Sequence, residues 1–325
     1  MKAIVIGHYG GVEQLTLKEL PMPKLEEGDI LIRIKAFGIN RAETYMRQGL
    51  WGDVAEVSGI ECVGEIEQDP SGRYIKGQKV AAIMGGMGRT KNGSYAEFTA
   101  ISSNNIFPID TLLSWEDFAA IPESYATAWS CLYENMQIKE GAVIFVRGGT
   151  SALGQAAINI ASNINNVTVL ASTRSQEHCA LLKELGCAQV FIENENLSAD
   201  VVQQYPQGID SVMDIVGNTT LLDSIKMVKK SGYVCNAGFL GGGAAILFNP
   251  LTDLMPSVNL NLFASFMLGS ENFPLSNIPM QTIVRNAESG LYKVKPAKIL
   301  SFDEVPEAHK LMESNLAYGK IVVQL

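Results

Sequence analysis

The chain has 325 residues, of which 47% are hydrophobic and 18% charged, so it carries enough apolar material for a large buried core. Because single cores rarely grow beyond ~250–300 residues, this length favours two domains. Lysine and arginine number 25 against 34 for aspartate and glutamate, and the net charge of −9 argues against a nucleic-acid partner, since an acidic chain repels a phosphate backbone.

Several further properties point to a protein of the cytoplasm. No apolar run approaches the ~20 residues that a membrane span needs, so we expect no membrane partner. The opening MKAIVIGHYGG predicts a first strand and not a signal peptide. The five cysteines are an odd number without pairing spacing, which is typical of a reduced, cytoplasmic protein. Neither they nor the three histidines have the spacing of zinc ligands, so we predict no metal site.

The apolar pattern changes along the chain. Residues 1 to about 110 contain the short runs AIVIG, DILIRIKAFGI, CVGEIEQ and KVAAIM, separated by Gly, Pro and Asp, which predicts a β-rich domain. From about Pro122 the buried runs GAVIFVRGG, NVTVLAST, QVFIE, SVMDIVG and GYVCNAG alternate with amphipathic stretches. This alternation predicts parallel strands with crossover helices. After about Phe263 the pattern predicts the end of a helix, a strand, another helix and a final strand.

The stretch VRGGTSALGQAA, residues 146–157, lies between a predicted strand and a predicted helix and indicates a nucleotide-binding turn. The G-x-G-x-x-G positions provide the tight turn, the close approach to pyrophosphate and helix–strand packing. Ser151 replaces the middle glycine; its hydroxyl and N–H can both donate to phosphate, and it can cap the helix. The predicted cradle consists of Gly149, Thr150, Ser151, Ala152, Leu153 and Gly154. The alternative is an ordinary strand–helix turn with glycines for geometry.

The end of the next strand indicates which nucleotide is bound. It reads Ser172, Thr173, Arg174, at the position where an acidic residue would bind the ribose 2′-hydroxyl of NAD. The first carboxylate comes only at Glu177, and an arginine can hold a 2′-phosphate through paired hydrogen bonds. These residues favour NADPH over NADH. The alternative is that Arg174 is a solvated surface arginine.

With these residues in place, the chain resembles the medium-chain dehydrogenase/reductase superfamily, in its zinc-free quinone oxidoreductase branch. The resemblance covers nearly the whole length and rests on the order of GVEQLTLKELPMPKLEEGDILIRIKAFGINRAETYMRQG, SGIECVGEI, GSYAEF, IPESYATAW, RGGTSALG, DIVGN and GKIVVQL. It implies a Rossmann-type doubly wound parallel sheet domain at residues 122–264. It also implies a β-rich GroES-like catalytic domain at residues 1–121, to which residues 265–325 return. NAD(P)H binding in the cleft and a homodimer through edge strands of the nucleotide domains follow from the same resemblance.

The resemblance also accounts for the lack of zinc ligands. Zinc-dependent relatives have a cysteine where this chain has Asn40 and a histidine where it has Ile60, and the cysteine-rich zinc loop is missing as well. Without a Lewis acid alcohol oxidation is disfavoured, whereas an acceptor that is already electrophilic needs less help. Glu61 keeps its family position, and as a buried carboxylate it needs a partner such as an arginine.

The stretch GINRAETYMRQG is similar to the quinone reductase signature, and this implies the catalytic residues Asn40, Tyr45 and Arg47. Asn40 could bind the substrate oxygen or the cofactor, and Tyr45 could donate a hydrogen bond to developing charge or stack on a flat ring. A turn asparagine, a core tyrosine and a surface arginine are the alternative interpretations.

Further cofactor contacts are implied by the resemblance alone. Thr127 would face the nicotinamide, and the loop with Val216 and Gly217 would pass the adenosine side. Gly238 would approach the nicotinamide ribose, with Phe239 and Leu240 beside the ring. Asn315 and Lys320 fit the closing pattern of the family, where Lys320 could reach a cofactor phosphate or a surface carboxylate.

We therefore expect an NADPH-dependent reductase of a small electrophile, a quinone or an α,β-unsaturated carbonyl compound. A non-catalytic NADPH-binding sensor or structural protein would have the same cofactor residues and stays an alternative. A zinc-type alcohol dehydrogenase is a third. We expect substrate specificity to depend on the loops RQGLWGDVAEVSG, MGGMGRTKNG and LFASFMLGSENF.

Overall fold

The computed structural model describes all residues, 1–325, and contains fifteen strands and ten α-helices. The strands are β1 Lys2–Ile6, β2 Leu15–Glu19, β3 Asp29–Ile39, β4 Glu61–Gln68, β5 Lys79–Ile83, β6 Phe98–Ser102, β7 Ile106–Pro108, β8 Val143–Arg147, β9 Thr168–Thr173, β10 Gln189–Ile192, β11 Ile209–Asp214, β12 Val228–Asn236, β13 Asn259–Leu262, β14 Lys298–Ser301 and β15 Ile321–Gln324. The helices are α1 Arg41–Arg47, α2 Trp115–Ala119, α3 Pro122–Ser130, α4 Ala152–Ala161, α5 Cys179–Glu184, α6 Leu197–Gln204, α7 Leu221–Ile225, α8 Pro250–Asp253, α9 Met280–Glu288 and α10 Val305–Ser314. No helix is long and apolar enough to cross a membrane.

The chain divides into two compact units. Unit 1 comprises Met1–Ala126 and Ser265–Leu325, and unit 2 comprises Thr127–Ala264. The division falls after Ala126, within α3, and so a few residues later than the predicted boundary after residue 121. The last strand and helix of the chain, β15 and α10, belong to unit 1.

Unit 1 contains a seven-stranded sheet in the order β14-β15-β3-β4-β5-β7, with β6 paired to β3, and a separate β1–β2 pair. All pairs are antiparallel except β14 with β15, which are parallel. The predicted run DILIRIKAFGI forms β3, and its apolar side chains are buried in a core that includes Ile32, Phe37 and Tyr95. The rings of Phe37 and Tyr95 stack with centroids 4.9 Å apart, which adds to the area that they bury.

Unit 2 contains a six-stranded sheet in the order β10-β9-β8-β11-β12-β13, and all of its pairs are parallel. The order reverses between β8 and β11, so the carboxyl ends of these two strands form the switch point at which such sheets bind ligands. The prediction of a Rossmann-type doubly wound sheet with a second, β-rich GroES-like domain is confirmed. The edge strand β13 was not predicted, because its alternating Asn and Leu residues give no continuous buried run.

Candidate functional site

The turn between β8 and α4 depends on glycine at two points. Gly148 lies in the left-handed region with φ of 88°. A Cβ atom on Gly154 would lie 2.5 Å from the Gly148 carbonyl oxygen, so any larger residue would push α4 away from the turn. The left-handed residue is thus one position before Gly149, the first glycine of the predicted pattern. Gly149 is needed for packing, since its Cβ would lie 3.0 Å from the Cβ of Ala171.

Ser151 does not disrupt this turn, because the backbone there requires no glycine. Its φ and ψ of −70° and 160° are extended values that any residue adopts. Its hydroxyl oxygen accepts a hydrogen bond from the Gly154 N–H at 3.0 Å, and the hydroxyl donates to the Gly148 carbonyl at 2.8 Å. Ser151 is therefore the N-cap of α4. Its hydroxyl proton is directed at the backbone, so direct donation from this hydroxyl to a phosphate would require it to turn.

The anion donors of the turn are backbone amides. Ala152 and Leu153 are the first two residues of α4, and N–H groups at these positions have no acceptor within the helix. The helix dipole adds partial positive charge at the same point. The glycine turn and these amides fit the pyrophosphate of a dinucleotide. The carbonyl of Thr150 accepts from the Gln155 side chain at 3.0 Å, which holds the middle of the turn.

At the end of β9, two buried residues are followed by one exposed arginine. Ser172 and Thr173 are 1% and 4% exposed. The Ser172 carbonyl accepts from the Gly149 N–H at 3.1 Å, so this residue holds the turn in place. Arg174, the next residue, is exposed. It is the first residue after the strand whose side chain lies at the surface.

The loops that follow β11 and β12 pack against the glycine turn. A Cβ atom on Gly148 would lie 3.5 Å from Val216 Cγ2 and 3.9 Å from Leu240 Cδ1. The Gly241 N–H donates to the Val216 carbonyl at 2.8 Å, which links the two loops. Phe239, in the loop after β12, is 38% exposed. The structure thus brings together five of the predicted cofactor residues with the cradle: Val216, Gly217, Gly238, Phe239 and Leu240.

Asp214 fixes the loop after β11. Its side chain is fully buried and accepts hydrogen bonds from the N–H groups of Val216 and Gly217 and from the hydroxyls of Thr220 and Ser224. Burial raises the pKa of this carboxyl, and the hydrogen bonds act in the opposite direction. The side chain thereby shapes the segment predicted to pass the adenosine.

A buried arginine below the turn was missed by the sequence reasoning. Arg147, the last residue of β8, is 1% exposed, and its guanidinium donates to Glu193 at 2.8 Å and to Asp223 at 2.9 Å. It also donates to the Thr220 carbonyl and the Ser224 hydroxyl. The one available signal was a charged residue inside the apolar run VIFVR. Arg147 thus connects the end of β8 with the loop after β10 and with the start of α7 after β11.

Asn40 lies in unit 1, and its side-chain amide is engaged inside the protein. Its Nδ2 donates to Glu61 at 2.9 Å and to Glu43 at 3.3 Å, and its Oδ1 accepts from Lys320 Nζ at 2.6 Å. A substrate could bind this amide only by displacing one of these partners. In the structure Asn40 is therefore a connecting residue of a buried cluster.

Glu61 and Lys320 form the centre of this cluster, with side chains 1% and 4% exposed. Lys320 Nζ donates to Glu61 Oε1, to Asn40 and to the Ser124 hydroxyl, which uses all of the N–H donors of an ammonium group. The Glu123 N–H donates to the other oxygen of Glu61 at 2.9 Å. The partner of Glu61 is thus a lysine and not the expected arginine. Lys320 pairs with a buried carboxylate, whereas the alternatives predicted for it were a cofactor phosphate and a surface carboxylate.

The cluster is neutral when one of its two carboxyls is protonated. Burial raises the pKa of Glu43 to about 8, so this carboxyl holds its proton at neutral pH. Burial acts to lower the pKa of Lys320, but Glu61 and the other nearby carboxylates outweigh it and hold this pKa above its ordinary value. Glu61 and Lys320 then remain as one balanced pair.

These residues do not fit a zinc ion. The Lys320 ammonium already neutralises Glu61 and binds the Asn40 oxygen, so a second cation at this point would meet repulsion. No group of three or more His, Cys, Asp or Glu side chains that could hold a metal occurs in the chain.

Arg47 and Asn315 are engaged in contacts within unit 1. Arg47 is 1% exposed; it donates to the Gly10 carbonyl at 2.6 Å and forms an ion pair with Glu313. Asn315 ends α10 with a left-handed φ of 58°, and its side chain accepts from Arg41. Arg47 thus has a structural role inside unit 1, with its Nε buried and without a hydrogen bond, and its catalytic role stays a prediction.

Tyr45, the third predicted catalytic residue, lies half-buried on α1. Its ring contacts that of Trp51, with centroids 5.8 Å apart and an angle of 45° between the planes. Thr127, predicted to face the nicotinamide, is a buried residue of α3 in unit 2.

Two family models match successive parts of the chain. Residues 26–111 match the alcohol dehydrogenase GroES-like domain family, and residues 152–280 match the zinc-binding dehydrogenase family. The quinone oxidoreductase of Lama guanicoe is 25% identical over 334 residues, which cover 100% of this chain and 98% of the relative.

Solved structures show the same fold over the whole length. A quinone oxidoreductase of Pseudomonas syringae superimposes with a TM-score of 0.87 at 22% identity, covering 100% of this chain and 99% of that one. A mycobacterial protein solved in complex with NADPH superimposes with a TM-score of 0.88 at 22% identity, covering 100% of both chains.

Proposed function

Since the chain belongs to the medium-chain dehydrogenase/reductase superfamily and is similar to its quinone oxidoreductases, we propose that it is an NADPH-dependent reductase. Its substrate would be a quinone or an α,β-unsaturated carbonyl compound, reduced without zinc. The observation that carries this proposal is the turn between β8 and α4, at the switch point of the parallel sheet, with the exposed Arg174 following the neighbouring strand.

The choice of NADPH rests on charge. The amides of Ala152 and Leu153 would bind the pyrophosphate, and Arg174 would bind the 2′-phosphate through paired hydrogen bonds. A carboxylate at the end of β9 would repel that phosphate, and none stands there. The NADPH complex of the mycobacterial structural relative supports the same cofactor.

The chemistry follows from what the side chains can supply. When bound, NADPH supplies the hydride, and the protein contributes mainly orientation and electrostatics. Among the three predicted catalytic residues, the polar groups of Asn40 and Arg47 are engaged in the interior. We assign to Tyr45, which lies half-buried beside the partly exposed ring of Trp51, the hydrogen bond to the substrate oxygen on which negative charge develops. Solvent provides the proton that completes the reduced product.

The proposal is tested by titrating NADPH and NADH into the protein and then measuring oxidation of NADPH by 9,10-phenanthrenequinone. NADPH should bind at least about tenfold more tightly than NADH, because a charge-assisted bidentate contact is worth that much. Arg174→Ala should remove the preference by weakening NADPH alone. Lys183→Ala is the matched control, since it removes an exposed cation from the same unit.

Two results would contradict the proposal. If neither nucleotide binds, the turn is not a phosphate cradle. If NADPH binds tightly but a broad panel of quinones and enones leaves it unoxidised, the protein binds the nucleotide without being a reductase.

A further inference from the structure

Three loops of unit 1 meet around one arginine. Arg89 lies half-buried close to two aromatic rings, with its guanidinium carbon 5.8 Å from the centroid of Trp51 and 5.1 Å from that of Phe266. The three residues come from three separate segments of the chain, each of which was predicted to influence specificity. Both distances are within the range of cation–π attraction.

The loop that carries Arg89 is held firmly. Gly88, the residue before it, has a left-handed φ of 70°, and a Cβ there would lie 3.0 Å from the Gly59 backbone nitrogen. The Arg89 N–H donates to the Gly86 carbonyl at 3.0 Å, which closes a turn. The position of the guanidinium is therefore set by backbone geometry as well as by the two rings.

The charge of this guanidinium is not neutralised within the protein. No carboxylate lies within ion-pair distance of Arg89. Arg33 offers a contrast, because its guanidinium also lies over a ring, that of Phe98, but is bound to Glu67 at 3.0 Å. An aromatic ring attracts a guanidinium without using its N–H donors, and these donors match a carboxylate or sulfonate.

The contacts of Arg89 extend through Trp51 to Tyr45, the residue assigned to the reaction. Trp51 contacts both Arg89 and Tyr45, so Tyr45, Trp51, Arg89 and Phe266 form a row of successive contacts. Trp51 and Phe266 are 38% and 52% exposed, which leaves apolar surface for a flat ligand. An acceptor bound at Tyr45 would thus meet a cation farther along the row.

We propose that Arg89 determines specificity by selecting flat electrophiles that carry an anionic group, a carboxylate or a sulfonate. This inference rests on the proposed reductase function and names the substrate class for it. The aromatic rings bind the planar part of the ligand, and the guanidinium edge pairs with its anion. A role of Arg89 confined to holding the three loops together predicts no preference for charge.

The test compares 1,2-naphthoquinone with 1,2-naphthoquinone-4-sulfonate in the wild type and in Arg89→Met. The ratio of the two kcat/KM values is compared between proteins, so that the difference in intrinsic reactivity cancels. We expect Arg89→Met to lower the ratio by about tenfold to a hundredfold, through KM of the sulfonate, and to change the neutral quinone little. Arg89→Lys should keep most of the preference, because it keeps the charge.

Arg73→Met is the matched control, since Arg73 also lies over a ring, that of Tyr74, at 5.4 Å. It should leave the ratio unchanged. An unchanged ratio in Arg89→Met would overturn the proposal, and so would an equal loss for both quinones in Arg89→Met and Arg89→Lys, which indicates a purely structural residue.

Binding calorimetry separates this proposal from the proposed function. Naphthalene-2-sulfonate and 2-naphthol are titrated into the wild type and Arg89→Met, which requires no turnover. Weaker binding of the sulfonate alone in Arg89→Met supports the anion site even if no quinone is reduced. Equal binding of the sulfonate to both proteins contradicts it even if quinones are reduced.

Discussion

Lys320 Nζ donates to Glu61 Oε1 across 259 positions of sequence, and both side chains are almost entirely buried. Taking two charges out of water is costly, and each ion is stable there only because the other is present. The pair also ties Asn40 and the beginning of α3 to the same point, through the Ser124 hydroxyl and the Glu123 N–H.

Removing one member of this pair should therefore be far more damaging than removing both. We expect Lys320→Met to lower the free energy of unfolding by about 3–5 kcal/mol, because it leaves Glu61 charged and unpaired. The double variant Lys320→Met/Glu61→Leu should recover much of this loss. Urea unfolding measures both, with Lys310→Met in an exposed pair as the control. A double variant no more stable than Lys320→Met would contradict this account.

Glu43 should make stability depend on pH. Its pKa is raised by burial to about 8 in the folded protein, above its ordinary value of 4.5. Between these two values the folded state holds a proton that the unfolded state has lost, so stability falls as pH rises from about 5 to about 8. Each unit of upward shift corresponds to about 1.4 kcal/mol.

Glu43→Gln removes this titration while keeping a side chain that can accept from the Asn40 N–H. The difference in unfolding free energy between Glu43→Gln and wild type should therefore move in favour of the variant from pH 5 to pH 8. Parallel stability curves over this range would show that Glu43 is ionised in the folded protein.

Replacement of Ser151 should distinguish a helix cap from a phosphate ligand. Loss of the N-cap in Ser151→Ala should cost about 1 kcal/mol of stability, whereas Ser151→Gly should cost only a few tenths. Both variants should bind NADPH within about threefold of wild type, because the amides of Ala152 and Leu153 remain. If both variants stay folded but lose tenfold or more in affinity, the hydroxyl itself contacts the phosphate.

Tyr45→Phe should separate catalysis from folding. The ring and its contact with Trp51 remain, and thermal unfolding of the variant measures what loss of the hydroxyl alone costs in stability. The hydroxyl is lost, and we expect kcat with a quinone to fall by about tenfold to a hundredfold with KM nearly constant. Tyr233→Phe, which removes a hydroxyl bound to Gln137 in the other unit, should keep full activity. An unchanged kcat in Tyr45→Phe would assign the oxygen contact to another group.

We propose a homodimer formed through β13. This edge strand leaves backbone groups unpaired on one side, and Leu262 on it is 57% exposed, with Leu251 nearby in the chain 90% exposed. Leu262→Lys should give a monomer in light-scattering chromatography. Leu112→Lys, which changes a leucine of unit 1 that is even more exposed, should leave the assembly intact. A wild-type monomer would rule the interface out.

The features that could be predicted are local in sequence. The buried runs of unit 2 become parallel strands because a continuous apolar segment must be covered on both faces. Ser151 caps α4 because its partners, Gly148 and Gly154, lie three residues away on either side. The missing carboxylate beside Arg174 is visible in a single short stretch. Within such distances the backbone allows few arrangements, so the residues alone indicate the structure.

The features that only the folded chain decides join distant segments. Asn40 and Lys320 are 280 positions apart in sequence, and Arg47 and Glu313 are 266 apart, so no single motif could indicate that these residues contact each other. Arg89 acquires its two aromatic neighbours in the same way, from two other loops. A charged residue looks the same in a sequence whether it faces solvent or a buried partner. Which of the two occurs depends on packing between strands and loops far apart in the chain, because burial makes the partner obligatory.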